Sequence, residues 1–96
     1  MLTLTGRLLA STVRHLVAGS RQMSLVNQIE NGFVVEFDGV LRINLSASGE
    51  QIAVAFRAGR RCSPNHYWAA QADLNKAFLA ATKEVFHIKY DQQVPS

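Results

Sequence analysis

The sequence predicts an α+β fold: a short helix, a three-stranded antiparallel meander, then a long helix packed on one sheet face, in the order α-β-β-β-α. Three observations predict it. Residues 33–57 alternate apolar and polar with a period of two, broken at Asp38-Gly39 and Ser48-Gly49, as strands joined by hairpins do. Residues 64–88 place apolar side chains at three- and four-residue spacing, the pattern of a long amphipathic helix. The net charge of +3 is confined to the first 21 residues, which sets a basic head apart from a neutral body.

In that head, Arg7, Arg14 and Arg21 are the only charged side chains before Glu30. Spaced by seven in a helix, they drift only about 20° per heptad and share one side. Leu2, Leu9, Val13, Leu16 and Val17 form a stripe about a third of a turn away. An acid-free, Arg-, Ser- and Thr-rich amphipathic head reads as an organelle transit peptide. Arg21-Gln22-Met23-Ser24 resembles the mitochondrial matrix cleavage context. The expectation is a transit peptide over residues 1–23, one small domain over 24–90, a flexible tail over 91–96, and action in the mitochondrial matrix. Two alternatives stand beside it: a bacterial or phage cytoplasmic protein starting at Met23, and an ordinary surface helix of the folded domain. No apolar run approaches the length of a membrane span, so no stable membrane insertion is expected.

The first body element, residues 24–31, reads as a short helix with Ser24 as N-cap and Gly32 as its left-handed stop. For the hairpin at Asp38-Gly39, side-chain parity excludes a two-residue turn, which would put Phe33 and Val35 opposite the face of Leu41, Ile43 and Leu45. A three-residue loop, Phe37-Asp38-Gly39, restores a common face. A two-residue turn at Ser48-Gly49 then sets Leu45 opposite Ile52, Ile43 opposite Val54 and Leu41 opposite Phe56. Ser63 and Pro64 open the last helix as cap and first residue, and it is expected to reach His87 or Lys89. Its stripe of Tyr67, Ala70, Leu74, Ala77, Phe78, Ala81, Val85 and Ile88 is expected to cover the sheet, burying Ile43, Val54 and Phe78 at the seam.

A domain this small buries only about 60% of its unfolded surface and needs reinforcement. Cys62 is the single cysteine, so no internal disulfide forms, and Cys62, His66 and His87 show no zinc spacing. No nucleophile–base pair, paired acids or cofactor motif is visible. The expected catalytic and metal residues are therefore none, no cofactor is expected, and the chain is not expected to be an enzyme. Association is the reinforcement left.

Trp68, Leu79 and Phe86 form a second apolar stripe on the long helix, about 100° from the first, and are the candidate partner-binding residues. This points to a non-catalytic interaction module: an accessory or assembly subunit of a mitochondrial matrix complex, or a homo-oligomer. The alternative is nucleic-acid binding, RNA or single-stranded DNA, through Arg57, Arg60 and Arg61 at the helix N-terminus and through the sheet face. Over residues 24–89 the order helix, three strands, helix resembles the double-stranded-RNA-binding domain, with Arg60 and Arg61 near that family's basic entrance to its last helix. That resemblance implies RNA as ligand. Where the family carries a Lys-Lys-x-Ala-Lys run, this chain has Asn65-His66-Tyr67-Trp68-Ala69.

Overall fold

A computed structural model describes residues 3–86 of the chain. It contains helix α1 (Leu4–Gly19), strands β1 (Met23–Ile29), β2 (Gly32–Phe37), β3 (Leu41–Ser48) and β4 (Gln51–Ala58), and helix α2 (Pro64–Phe86). The strands form one antiparallel sheet in the order β1-β2-β3-β4. The α+β class holds, but the sheet has four strands where the sequence predicted three. The end of the last helix at His87 or Lys89, Ile88 on its stripe, and the tail 91–96 lie outside the described residues.

The added strand is the segment read as a short helix. Residues 24–29 pair with β2 instead, and residues 30–31 form the turn to it, because a helix of two turns is marginal on its own while a β2 edge offers a row of backbone partners. Gly32 serves a different purpose from the one expected. A Cβ there would lie 2.0 Å from the Leu45 carbonyl oxygen, so the glycine is needed for the close approach of β3. The helix–three-strand–helix order behind the RNA-binding resemblance is thereby lost.

The parity argument for the hairpins survives with shifted loops. Phe37 stays in β2 opposite Leu41, and the loop is Asp38, Gly39 and Val40, closed by Val40 N–H donating to Phe37 O at 3.0 Å. Asp38 and Gly39 both take positive φ, at 53° and 69°. Between β3 and β4 the turn is Gly49-Glu50, so Leu45 faces Val54 and Ile43 faces Phe56. The register slides by two residues from the expected one. An even slide keeps every side chain on its face, which is why the apolar face was still read correctly.

Val35, Phe37, Leu41, Ile43 and Leu45 make the floor of the core, with Met23 beside them. Its lid is α1, through Leu9, Val13 and Leu16, together with Ala70 and Ala77 of α2. Residues 4–19 pack in the same folded body as residues 23–86. Geometry gives the reason. Four strands spread over about 15 Å, whereas one helix is about 10 Å across, so α2 alone cannot cover the sheet.

Helix α2 packs chiefly on α1, not on the sheet. It buries Ala70, Ala77 and Ala81, while α1 buries Ser11 and Thr12. Small residues allow the two helices to approach closely. The Ser11 and Arg14 side chains donate to Glu84, and Ser20 Oγ donates to Asp73 at 2.7 Å. Rising numbers on α1 meet falling numbers on α2, so the pair is antiparallel. α2 reaches the sheet through its first turns, where Tyr67 lies 5.7 Å from Phe56 between ring centroids and His66 stands edge-on to Phe37. The expected seam is therefore only partly closed: Ile43 is fully buried, but Val54 and Phe78 remain 44% and 42% exposed. α1 occupies the place over the sheet that Phe78 was expected to fill.

Candidate interaction surface

The uncovered strip becomes a groove of about 930 Å³ between α1, β4 and α2. Ile52, Val54 and Phe56 form its floor because the even-numbered residues of β4 share the inner face with Ile43 and Leu45. Leu4 and Leu8 of α1 make one wall, and Leu74, Phe78 and Phe86 of α2 make the other. Among the described residues, Glu50 is the only charged one that lines it.

All three residues singled out as a partner site are exposed: Trp68 at 71%, Leu79 at 56% and Phe86 at 45%. The structure does not gather them at one point. Phe86 belongs to the groove, whereas Trp68 lines an adjoining hollow with Cys62, Pro64 and Tyr67. Gln71 borders both, and Leu79 lies on the same side of α2 without lining either. Sequence reasoning missed Leu4 and Leu8, because they were assigned to a leader, and missed Val54 and Phe78, because each was placed in the seam. The period-two pattern did put Val54 on the correct face. What it could not show is that the helices leave that end of the face open.

A second hollow, about 900 Å³, lies on the β1 side between α1 and the sheet. Val13, Val17 and Leu25 line it, but Arg7, Arg14 and Glu84 rim it with charge. Glu84 is the electrostatic centre of the helix pair. The Arg14 guanidinium and then the Ser11 hydroxyl, both donating to its carboxylate, lower its pKa from 4.5 to about 2. His15 Nε2 stands 3.4 Å from the same carboxylate.

The alternative cationic site is dispersed. Arg57 projects from β4 opposite Arg42, on the sheet face away from the helices, and Arg42 is paired with Glu36 at 3.3 Å. Arg60 and Arg61 are exposed in the turn before α2, which Cys62 N–H closes onto Gly59 O at 3.1 Å. The N-terminus of α2 is largely satisfied from within. Ser63 N–H donates to His66 Nδ1 at 2.9 Å, and His66 N–H donates back to Ser63 at 3.0 Å to its carbonyl and 3.4 Å to Oγ. This reciprocal cap confirms Ser63 and Pro64 as the helix start. Pro64 has no N–H, so within the first turn Asn65 alone keeps a donor for an anion. Cys62 is half-buried against the core, with its thiol 3.7 Å from Ser63 O.

Among the described residues no three His, Cys, Asp or Glu side chains converge as a metal set would, and no helix is long and apolar enough to cross a membrane. No protein-family model, curated protein or solved structure matches this chain.

Proposed function

We propose that this chain is a small non-catalytic interaction module that binds a protein surface through the groove and the adjoining face of α2, as an accessory subunit or a homo-oligomer. One observation carries the reading. Leu4, Val54, Trp68, Phe78, Leu79 and Phe86 are all large, apolar and between 42% and 71% exposed, on one side of one small fold. Together they present roughly 600 Å² of apolar surface, the upper limit of the largest patch on an ordinary monomer. Trp68 is the anchor of this surface, since a protruding tryptophan beside a small hollow is the usual form of a binding hot spot.

The mitochondrial matrix is the proposed place of action, on the charge pattern of the head. In that setting α1 would act first as an unfolded import signal and afterwards as a core helix.

The test is native size in cell extract, followed by Trp68→Ala. The wild-type protein is expected to migrate in a complex larger than its own mass. Trp68→Ala is expected to weaken that association by about 2 kcal/mol or more with an unchanged circular dichroism spectrum. A wild-type chain that runs as a free monomer in native extract would remove the proposal.

The nucleic-acid reading rests on Arg42 and Arg57 standing opposite one another on the outer sheet face, close to the Arg60-Arg61 turn. Its test is binding to single-stranded RNA and DNA at low salt. Arg60→Ala with Arg61→Ala should lower the salt dependence by up to about two phosphate contacts. No binding by the wild type removes it.

A further inference from the structure

We infer that the partner on the groove is a second copy of this chain, joined through β4 to β4 across a two-fold axis into one continuous eight-stranded sheet. This rests on the interaction reading above and names the occupant of its surface.

The first argument is the edge itself. β4 is the last strand of the sheet, and among the described residues no strand pairs with its backbone on the side away from β3. An edge protected against pairing carries bulges, prolines, charged side chains or a short strand. β4 is long, unbroken and free of proline, and its one charge, Arg57, lies next to its end. Small Ala53 and Ala55 on the outer face offer no obstacle to a neighbouring strand.

The second argument is register. A two-fold axis perpendicular to the sheet keeps both grooves on the same side. Opposed residues must then share parity, because neighbours along a strand point to opposite faces. Setting Val54 opposite Val54 of the partner subunit satisfies this. It also places Ile52 opposite Phe56 of the partner subunit, so all three groove-floor side chains meet apolar ones. The same register brings Arg57 to the end of the partner strand that carries Gln51 and Glu50, which supplies charge complementarity. Moving the centre to Ala55 would oppose Ile52 with Ala58 and forfeit the match.

The third argument is area. Were the whole apolar surface covered, Trp68 and Leu79 included, two copies would contribute about 1,200 Å², the lower bound for a stable specific interface, before the new backbone pairing is added. The joined sheet also sets the two grooves side by side, so that Phe78 and Phe86 from each copy can close over the junction.

The experiment is light scattering on the purified full chain with cross-linking in a Cys62→Ser background. Wild type is expected at twice its 10.6 kDa mass. Val54→Lys is expected to weaken dimerisation by about 30-fold or more with an unchanged circular dichroism spectrum. Val26→Lys, on the opposite edge, is the control and should leave the dimer intact. Directly opposed residues have Cα atoms about 4.5–5.5 Å apart, within disulfide range. Val54→Cys should therefore oxidise rapidly to a linked dimer, and Ala53→Cys slowly. A monomeric wild type at high micromolar concentration overturns the second copy and assigns the groove to another protein or to residues 87–96. If that monomer still migrates in a larger complex in native extract, the interaction reading survives. A dimer that withstands Val54→Lys and does not cross-link at Val54→Cys overturns the β4 junction.

Discussion

At one edge of the sheet, β1 shifts register in a bulge between Leu25 and Asn27, and it carries Ser24, Asn27 and Gln28 among its seven residues. The hollow beside it is rimmed by Arg7, Arg14 and Glu84. At the other edge, β4 runs eight residues without a bulge, and among the described residues its groove has Glu50 as the lone charged lining residue. Both edges show apolar side chains to solvent, Leu25 and Val26 on one and Val54 on the other. The contrast teaches that exposure alone does not identify an interface. The bulge in β1 and the charges that rim its hollow discourage another strand, whereas the unbroken backbone of β4 beside a groove with Glu50 as its one charge among the described residues admits one.

The most drastic way to break this comparison is to remove the helix that separates the two hollows. A chain beginning at Ser24 lacks Leu9, Val13 and Leu16, each buried. At about 2–5 kcal/mol for each of the three lost side chains, the loss of about 6–15 kcal/mol matches the 5–15 kcal/mol typical of a whole domain's margin. The open core adds further cost, and the truncated chain is expected to lose its cooperative thermal transition. If residues 24–96 melt near the full-length temperature, α1 is dispensable and the removable-leader reading is favoured. N-terminal sequencing of the native protein makes the complementary measurement, and a mature chain retaining residues 4–19 is the expected result.

A smaller perturbation separates core from groove. Phe37 is fully buried, so Phe37→Ala should cost about 3–5 kcal/mol. Phe78, once expected in the same seam, is 42% exposed, and Phe78→Ala should cost the isolated fold about 1–2 kcal/mol while weakening association. Equal drops in melting temperature for the two variants would show that Phe78 is core after all.

The least effect is expected at the charged rim. Glu84 is held below its ordinary pKa, so its ties stabilise the fold fully above about pH 4.5 and are lost as the pH falls through about 2. The melting-temperature difference between wild type and Glu84→Gln should thus be constant near neutrality and shrink between those values. Solvent at this half-exposed carboxylate keeps the difference small. A difference that grows on acidification would reverse the assigned sign.

The elements that were legible in the sequence are those specified by local rules. Side-chain parity gave the common face of β2, β3 and β4, and an even register slide left it undisturbed. Ser63 and Pro64 marked the start of α2 because capping depends on adjacent residues alone. Residues 24–31 misled because a short segment with Ser at one end and Gly at the other satisfies helix rules, while the reason for Gly32, the approach of Leu45, comes from a strand thirteen residues away. The head admits two readings for a related reason. Arginines on one side and Leu9, Val13 and Leu16 on another describe an import signal and a half-buried core helix equally well. Trp68, Leu79 and Phe86 could be read as unpartnered because the stripe of Ala70, Ala77 and Ala81 beside them already supplied the packing face. The groove itself could not, since it arises where α1, β4 and α2 fail to meet.

The Ser11–Glu84 contact joins residues 73 apart in the chain. The three hairpins need only their immediate neighbours and can form early, but the lid over them requires α1 and α2 to find each other. During synthesis, residue 84 leaves the ribosome last among these groups. Until then the inner faces of β2 and β3 stay open to water and to other nascent chains. The vulnerable interval for this protein therefore lasts until α1 and α2 have docked, and whatever delays that docking should increase its dependence on chaperones.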